Sequence, residues 1–137
     1  MKFRYSSDFK TLDTKGRMIK RPILILELKA KDGTIIEAPA LVDSGADKTH
    51  INFEYAAVLG VKLGSECNST GIGEGKVPGY LGTLSFKIKN TDIEMDVPAT
   101  YIRSSNVQVL LGREVFFDNF KIIFEQSNDT FELIKKK

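Results

Sequence analysis

Two apolar runs bracket a turn that leaves the backbone little choice. Pro22 opens Ile23-Leu24-Ile25-Leu26-Glu27-Leu28, and residues 35–42 follow after Lys31-Asp32-Gly33-Thr34. The first run is short and rich in β-branched residues, which favours a strand. Asp-Gly readily supplies the positive φ of a tight turn, so the two runs are expected to pair as a hairpin. The second strand has one break in its apolar end, Pro39, and runs into Asp43-Ser44-Gly45-Ala46. The hairpin thus carries an acid on a buried strand and releases it into a glycine-assisted turn, where it is rigid but can face a cleft.

The rest reads as further short strands between turns. Residues 1–21 are polar and basic with scattered aromatics: either a flexible arm or a first strand that pairs with something later. Asn52 and Gly60 are placed to cap one short helix or turn containing Ala56, Ala57 and Leu59. Gly71, Gly73 and Gly75 alternate in an exposed, mobile loop tip. Residues 80–88 alternate as a half-buried strand. Asn90-Thr91-Asp92 then turns the chain into residues 93–102, where Pro98 predicts an edge position. After a turn at 103–106, residues 107–111 form a short strand ending at Gly112, and residues 113–117 a helical turn. Residues 120–125 and 130–134 form a terminal hairpin. This spacing predicts an all-β barrel or sandwich-like domain over residues 22–134, preceded by the arm and followed by a solvated tail, Lys135-Lys136-Lys137.

At 137 residues, one domain with a real core is expected. A net charge of +2 does not argue for nucleic acid. No apolar run is long enough to span a bilayer, and the N-terminus has no signal-like apolar core. The single cysteine, Cys67, has no internal disulfide partner, which suits a reducing cytosol. The expectation is a soluble, cytoplasmic protein with no nucleic-acid or membrane partner.

Catalytic options are few. One His and one Cys leave no metal site to write, and no cofactor is expected. Ser44, His50 and Asp47 lie too close in one extended turn to converge as a triad. A Cys67–His50 pair is conceivable but lacks the surroundings of a nucleophile. Gly71-Ile72-Gly73 is not followed by the Gly-Lys-Ser/Thr of a phosphate loop. Carboxylates remain. One Asp cannot serve as both base and acid in hydrolysing a peptide, whereas two close carboxylates that share a proton can. The chain has one Asp-Ser-Gly, so the second acid must come from a second copy of the chain across a twofold axis.

Leu41-Val42-Asp43-Ser44-Gly45-Ala46-Asp47-Lys48-Thr49 resembles the apolar, Asp-Thr/Ser-Gly-Ala motif of the retropepsin-like aspartic proteases. Val109-Leu110-Leu111-Gly112-Arg113-Glu114 is similar to that family's apolar-apolar-Gly-Arg-Asp/Asn segment. Thr70-Gly71-Ile72-Gly73-Glu74-Gly75-Lys76-Val77 resembles its flap. The motifs occur in the family's order and together cover residues 21–124. The resemblance implies a closed acid-protease barrel with one short C-terminal helix, forming a homodimer. It implies that Asp43 is the catalytic carboxylate, set in a loop with Ser44, Gly45 and Ala46. Ser44 would bond to its symmetry mate. Asp47, with Gly71, Ile72 and Gly73 of the flap, would contact substrate, and Arg113 would pair with Asp47.

The longer arm and the extension from residue 120 depart from the retroviral pattern, so the terminal hairpin, rather than interleaved termini, could build the dimer. Lys48 and Glu114 also depart from it, in the cleft. The function implied is aspartic endopeptidase action on a peptide or protein substrate. The alternative is a non-catalytic peptide- or partner-binding module on the same fold.

Overall fold

The computed structural model describes residues 1–69, 77–103 and 108–136. The expected hairpin is present. β4 (Ile23–Lys29) and β5 (Ile35–Val42) pair antiparallel with Ile23 opposite Leu41. The intervening turn is closed by Gly33 N–H donating to the Ala30 carbonyl at 3.1 Å and Thr34 N–H donating to Asp32 Oδ1 at 2.9 Å. Leu24, Leu26 and Leu28 alternate inward on β4, and Ala38, Ala40 and Val42 on β5. This is the period of two that a half-buried strand requires.

Around this hairpin a six-stranded barrel closes. The strand order is β4, β5, β10 (Val109–Leu111), β6 (Thr49–Asn52), β9 (Glu94–Ile102) and β8 (Val77–Ile88). β8 pairs back onto β4 through Leu26 opposite Ile88. β7 (Glu66–Ser69) lies outside the ring, on β8. Two pairings are parallel, β5 with β10 and β6 with β9. The barrel is filled by Leu84, Phe86, Val97, Tyr101, Val109 and Leu111, all buried. Burial pushes the Tyr101 phenol up to about 12, and its hydroxyl donates to the Thr83 carbonyl at 2.8 Å.

A second, three-stranded sheet packs beneath. β1 (Lys2–Arg4) pairs with β12 (Thr130–Lys135), and β12 with β11 (Phe120–Glu125). Of the two options left open for the arm, its first strand pairs with a later one, and β2 (Ser6–Leu12) with β3 (Met18–Arg21) forms a hairpin of its own. Phe131, Leu133, Phe120 and Phe116 join this sheet to the barrel core.

Some boundaries and elements differ from expectation. The α-helix among the described residues is α1 (Tyr55–Leu59), mid-chain, ended by Gly60 at φ +69. Asn52 does not cap it directly. Its Oδ1 accepts from Glu54 N–H at 2.9 Å, two residues on, and Glu54 holds the N-cap position without a side-chain cap bond. The segment after Gly112 does not become an α-helix. Val115 sits at φ +66, at the centre of a three-residue turn in which Phe116 N–H donates to the Glu114 carbonyl at 2.8 Å, and only a 3-10 turn, Phe117–Asn119, follows. A β-branched residue in the left-handed region interrupts any helix there. Pro98 lies in a strand with neighbours on both sides, yet its pairing with β6 begins only at Ala99, opposite Thr49, so at Pro98 the strand has β8 alone. β10 starts at Val109, and the expected turn at 103–106 lies largely outside the described residues.

Candidate functional site

The site is built where β5 and β10 end side by side. Leu111 sits opposite Val42 in parallel register, and Asp43 N–H donates to the Leu111 carbonyl at 3.0 Å. The loop then folds on itself. Gly45 N–H donates to Asp43 Oδ1 at 2.9 Å, and Ala46 N–H to the Asp43 carbonyl at 3.3 Å. One carboxylate oxygen of Asp43 is thereby fixed by backbone, and the side chain is half-buried while Ser44 and Gly45 are exposed.

The far side of the loop is held by the segment after β10. Arg113 N–H donates to the Ala46 carbonyl and Glu114 N–H to the Asp47 carbonyl, both at 2.9 Å. The Arg113 guanidinium pairs with the Asp47 carboxylate, with 54% and 79% of the two side chains exposed. At that exposure the ion pair contributes about 0–1 kcal/mol, so the backbone bonds carry the geometry. The structure thus brings together Asp43, Ser44, Gly45, Ala46, Asp47 and Arg113. Gly71, Ile72 and Gly73 lie outside the described residues; the ladder leading to them, with Ser69 opposite Val77, is in place.

Two residues that hold this loop had no assigned role in the sequence reading. Gly112 packs so tightly that a Cβ there would lie 2.2 Å from the Lys48 carbonyl oxygen. Its N–H donates to the hydroxyl of Thr49 at 3.2 Å, and Thr49 is fully buried. A glycine between an apolar strand and an arginine was the available signal for the first. Nothing in the local pattern marks the second. Lys48 and Glu114 flank a cavity of about 130 Å³ shared with Leu81, Pro98 and Thr100. His50 sits on β6 opposite Thr100 and Leu110, with burial, and then the Lys48 charge, holding its imidazole below its usual range. Among the described residues no group of three His, Cys, Asp or Glu side chains is placed to hold a metal ion. No helix among the described residues is long and apolar enough to cross a membrane.

A closed β-barrel in which Asp-Ser-Gly-Ala leaves one central strand beside the Gly-Arg of another defines a retropepsin-like fold of the aspartic-protease class. Residues 32–117 match the family model described as "gag-polyprotein putative aspartyl protease", and the chain belongs to that family. Its fold is similar to a retropepsin-like aspartic protease from Rickettsia conorii, with a TM-score of 0.63 at 16% identity over 98% of each chain. It is also similar to the retroviral protease-like domain of Ddi1 from Leishmania major, with a TM-score of 0.53 at 12% identity, covering 84% of this chain and 89% of that one. No curated protein matches it in sequence.

Proposed function

We infer that the chain is one half of a homodimeric aspartic endopeptidase. The observation that carries this reading is the mounting of Asp43: a half-buried carboxylate at the end of a barrel strand, with Oδ1 taken by Gly45 N–H. Oδ2 remains for water or substrate. The chain has one Asp-Ser-Gly, so the reaction needs Asp43 of the partner subunit. With one carboxylate ionised and the other protonated, the first removes a proton from a water and the second polarises the scissile carbonyl. The water oxygen adds to the carbonyl carbon, and the tetrahedral intermediate collapses as the amine takes up a proton. In the same reading, Ser44 bonds across the twofold axis, Asp47 lines the cleft, and residues 71–73 close over a substrate held in strand-like fashion.

The second sheet supports the pairing. Thr130, Glu132 and Ile134 turn their backbone groups toward β11, so those of Phe120, Ile122 and Phe124 face its outer edge. Ile123 and Phe124 on that strand are 40% and 38% exposed, and Ile134 beside them 40%. A six-residue edge strand with four apolar residues is a ready pairing surface, and a second β11 across a twofold axis would cover it. Cys67, half-buried and free, fits a reducing compartment such as the cytoplasm.

The test is Asp43→Asn on purified protein with a mixed peptide library. Cleavage should fall by roughly 10²–10⁴-fold, with the sedimentation coefficient unchanged. Undiminished cleavage would remove Asp43 from the chemistry, and binding without cleavage by the wild-type protein would leave a peptide-binding module.

A further inference from the structure

A fork opens where the N-terminal strand leaves the barrel. β1 runs into β2, and β3 runs through Pro22 into β4. The two continuous strands are joined at Ser6 opposite Arg21. The next residue, Pro22, has no N–H to donate, and its carbonyl is taken by Val42 N–H at 2.9 Å on the β5 side. Beyond it the strands part, β1 to β12 and β4 to β5. Between them lies a groove of about 540 Å³.

The ladder pattern shows which backbone groups face that groove. Met1 exchanges both bonds with Leu133 at 2.9 Å, and Tyr5 N–H donates to the Asp129 carbonyl at 2.7 Å. Odd residues of β1 therefore turn toward β12, and Lys2 and Arg4 turn their N–H and C=O the other way. On β4 the Pro22 carbonyl faces β5, so Ile23 faces the groove. Arg4 and Ile23 are the pair that would continue the ladder from Ser6 and Arg21, yet no pairing joins β1 to β4. The open edge of β1 thus looks across a gap at Ile23, the one open position of β4 on this side, since Lys89 N–H already donates to the Ile25 carbonyl at 3.0 Å and β8 takes the strand from Leu26 on. The gap's apolar lining includes Phe3, Leu24 and Ile88.

The charged side chains at this gap are of one sign. Lys2, Arg4 and Lys89 line it, and among the described residues no Asp or Glu does. Lys89 is paired with Glu37 at 2.9 Å. Lys2 and Arg4 are exposed and have no ion-pair partner among the described residues. We propose that this fork is a docking site, separate from the Asp43 loop, for an extended acidic segment of a partner protein, which adds as a strand between β1 and β4. Main-chain bonds to Arg4 and Ile23 hold it, and Lys2 and Arg4 select its charge. The proposal does not depend on catalysis.

The test uses full-length Asp43→Asn protein, so that no probe is cut. The probe is a capped hexapeptide of alternating glutamate and valine, followed by amide NMR and fluorescence anisotropy. Signals of Lys2, Arg4 and Ile23 should shift. Lys2→Glu with Arg4→Glu should weaken binding about tenfold or more, while Lys15→Glu on the β2–β3 turn should not. A probe N-methylated at alternate residues should lose binding. In the otherwise wild-type enzyme, the double reversal should leave peptide cleavage unchanged. The proposal is overturned if the lysine–valine counterpart binds equally well, if shifts centre on residues 43–47, or if no shift appears at millimolar peptide. It is also overturned if the double reversal dissociates the unliganded dimer, which would make a second copy the occupant.

Discussion

Gly112 and Thr49 carry the Asp43 loop at the scale of single residues, and both can be tested without any substrate. Gly112→Ala drives a methyl group into the Lys48 backbone, whose oxygen, carbon and nitrogen would lie 2.2, 2.4 and 2.8 Å from it. No flexible side chain is there to yield. The expected loss is about 3 kcal/mol or more, read by urea denaturation. Thr49→Val keeps the shape but leaves the Gly112 N–H without its acceptor, at a cost of about 1–3 kcal/mol. A change near zero would show that this bond does not hold the loop.

His50 sets a pH dependence of its own. Burial lowers its pKa from 6.5, so the unfolded chain binds a proton more readily than the folded one. The stability His50 contributes is complete above about pH 6.5 and is lost as pH falls toward the lowered folded-state value. Thermal unfolding should therefore decline on acidification below that point, and His50→Gln should flatten the decline. An unaltered profile would assign the acid sensitivity to other groups.

At the scale of elements, the β4–β5 hairpin was legible because three signals agreed: Pro22, the Asp-Gly turn and a short apolar run on each flank. The observed strands, Ile23–Lys29 and Ile35–Val42, fall within one residue of that reading. The terminal hairpin was legible from the polar Gln126-Ser127-Asn128-Asp129 turn between two short strand-like runs. The segment after Gly112 was not. Its composition suits a helical turn, and what interrupts one is the left-handed Val115, whose N–H donates to Asp118 Oδ2 at 3.2 Å and whose carbonyl accepts from Asn119 Nδ2 at 2.6 Å, bonds that composition alone does not announce. The fate of residues 1–21 was also open, since pairing of β1 with β12 joins opposite ends of the chain.

Edge chemistry gives this scale its test. Ile122 turns its N–H to the free edge of β11, while Ile123 turns its N–H to Glu132. Ile122→Pro should leave the monomer fold largely intact and weaken dimerisation. Ile123→Pro should remove a ladder bond and destabilise the fold by about 1–3 kcal/mol. Circular dichroism melts and sedimentation separate the two, and identical behaviour would dismiss β11 as the pairing edge.

At the scale of the molecule, the barrel explains why two short motifs distant in sequence act as one unit. β10 inserts between β5 and β6, so Gly112-Arg113 lands on the back of the Asp43 loop. Composition and strand spacing pointed to a β domain. The parallel β5–β10 and β6–β9 pairings that make the site were not visible in any local pattern; the resemblance to retropepsin-like proteases implied the closed barrel but named no pairing. The family is established by residues 32–117, while the assembly of two loops into one centre is the reading that a single chain leaves to solution experiments.

Subunit mixing tests that reading most directly. Wild-type and Asp43→Asn protein, unfolded together in equal amounts and refolded, assort at random into dimers. If each active centre needs an Asp43 from both subunits, activity falls to about one quarter of that of the same total of wild-type protein, and it follows the square of the wild-type fraction across a mixing series. Activity that falls linearly, to about one half at equal mixing, would show that each chain works alone and would contradict the shared centre.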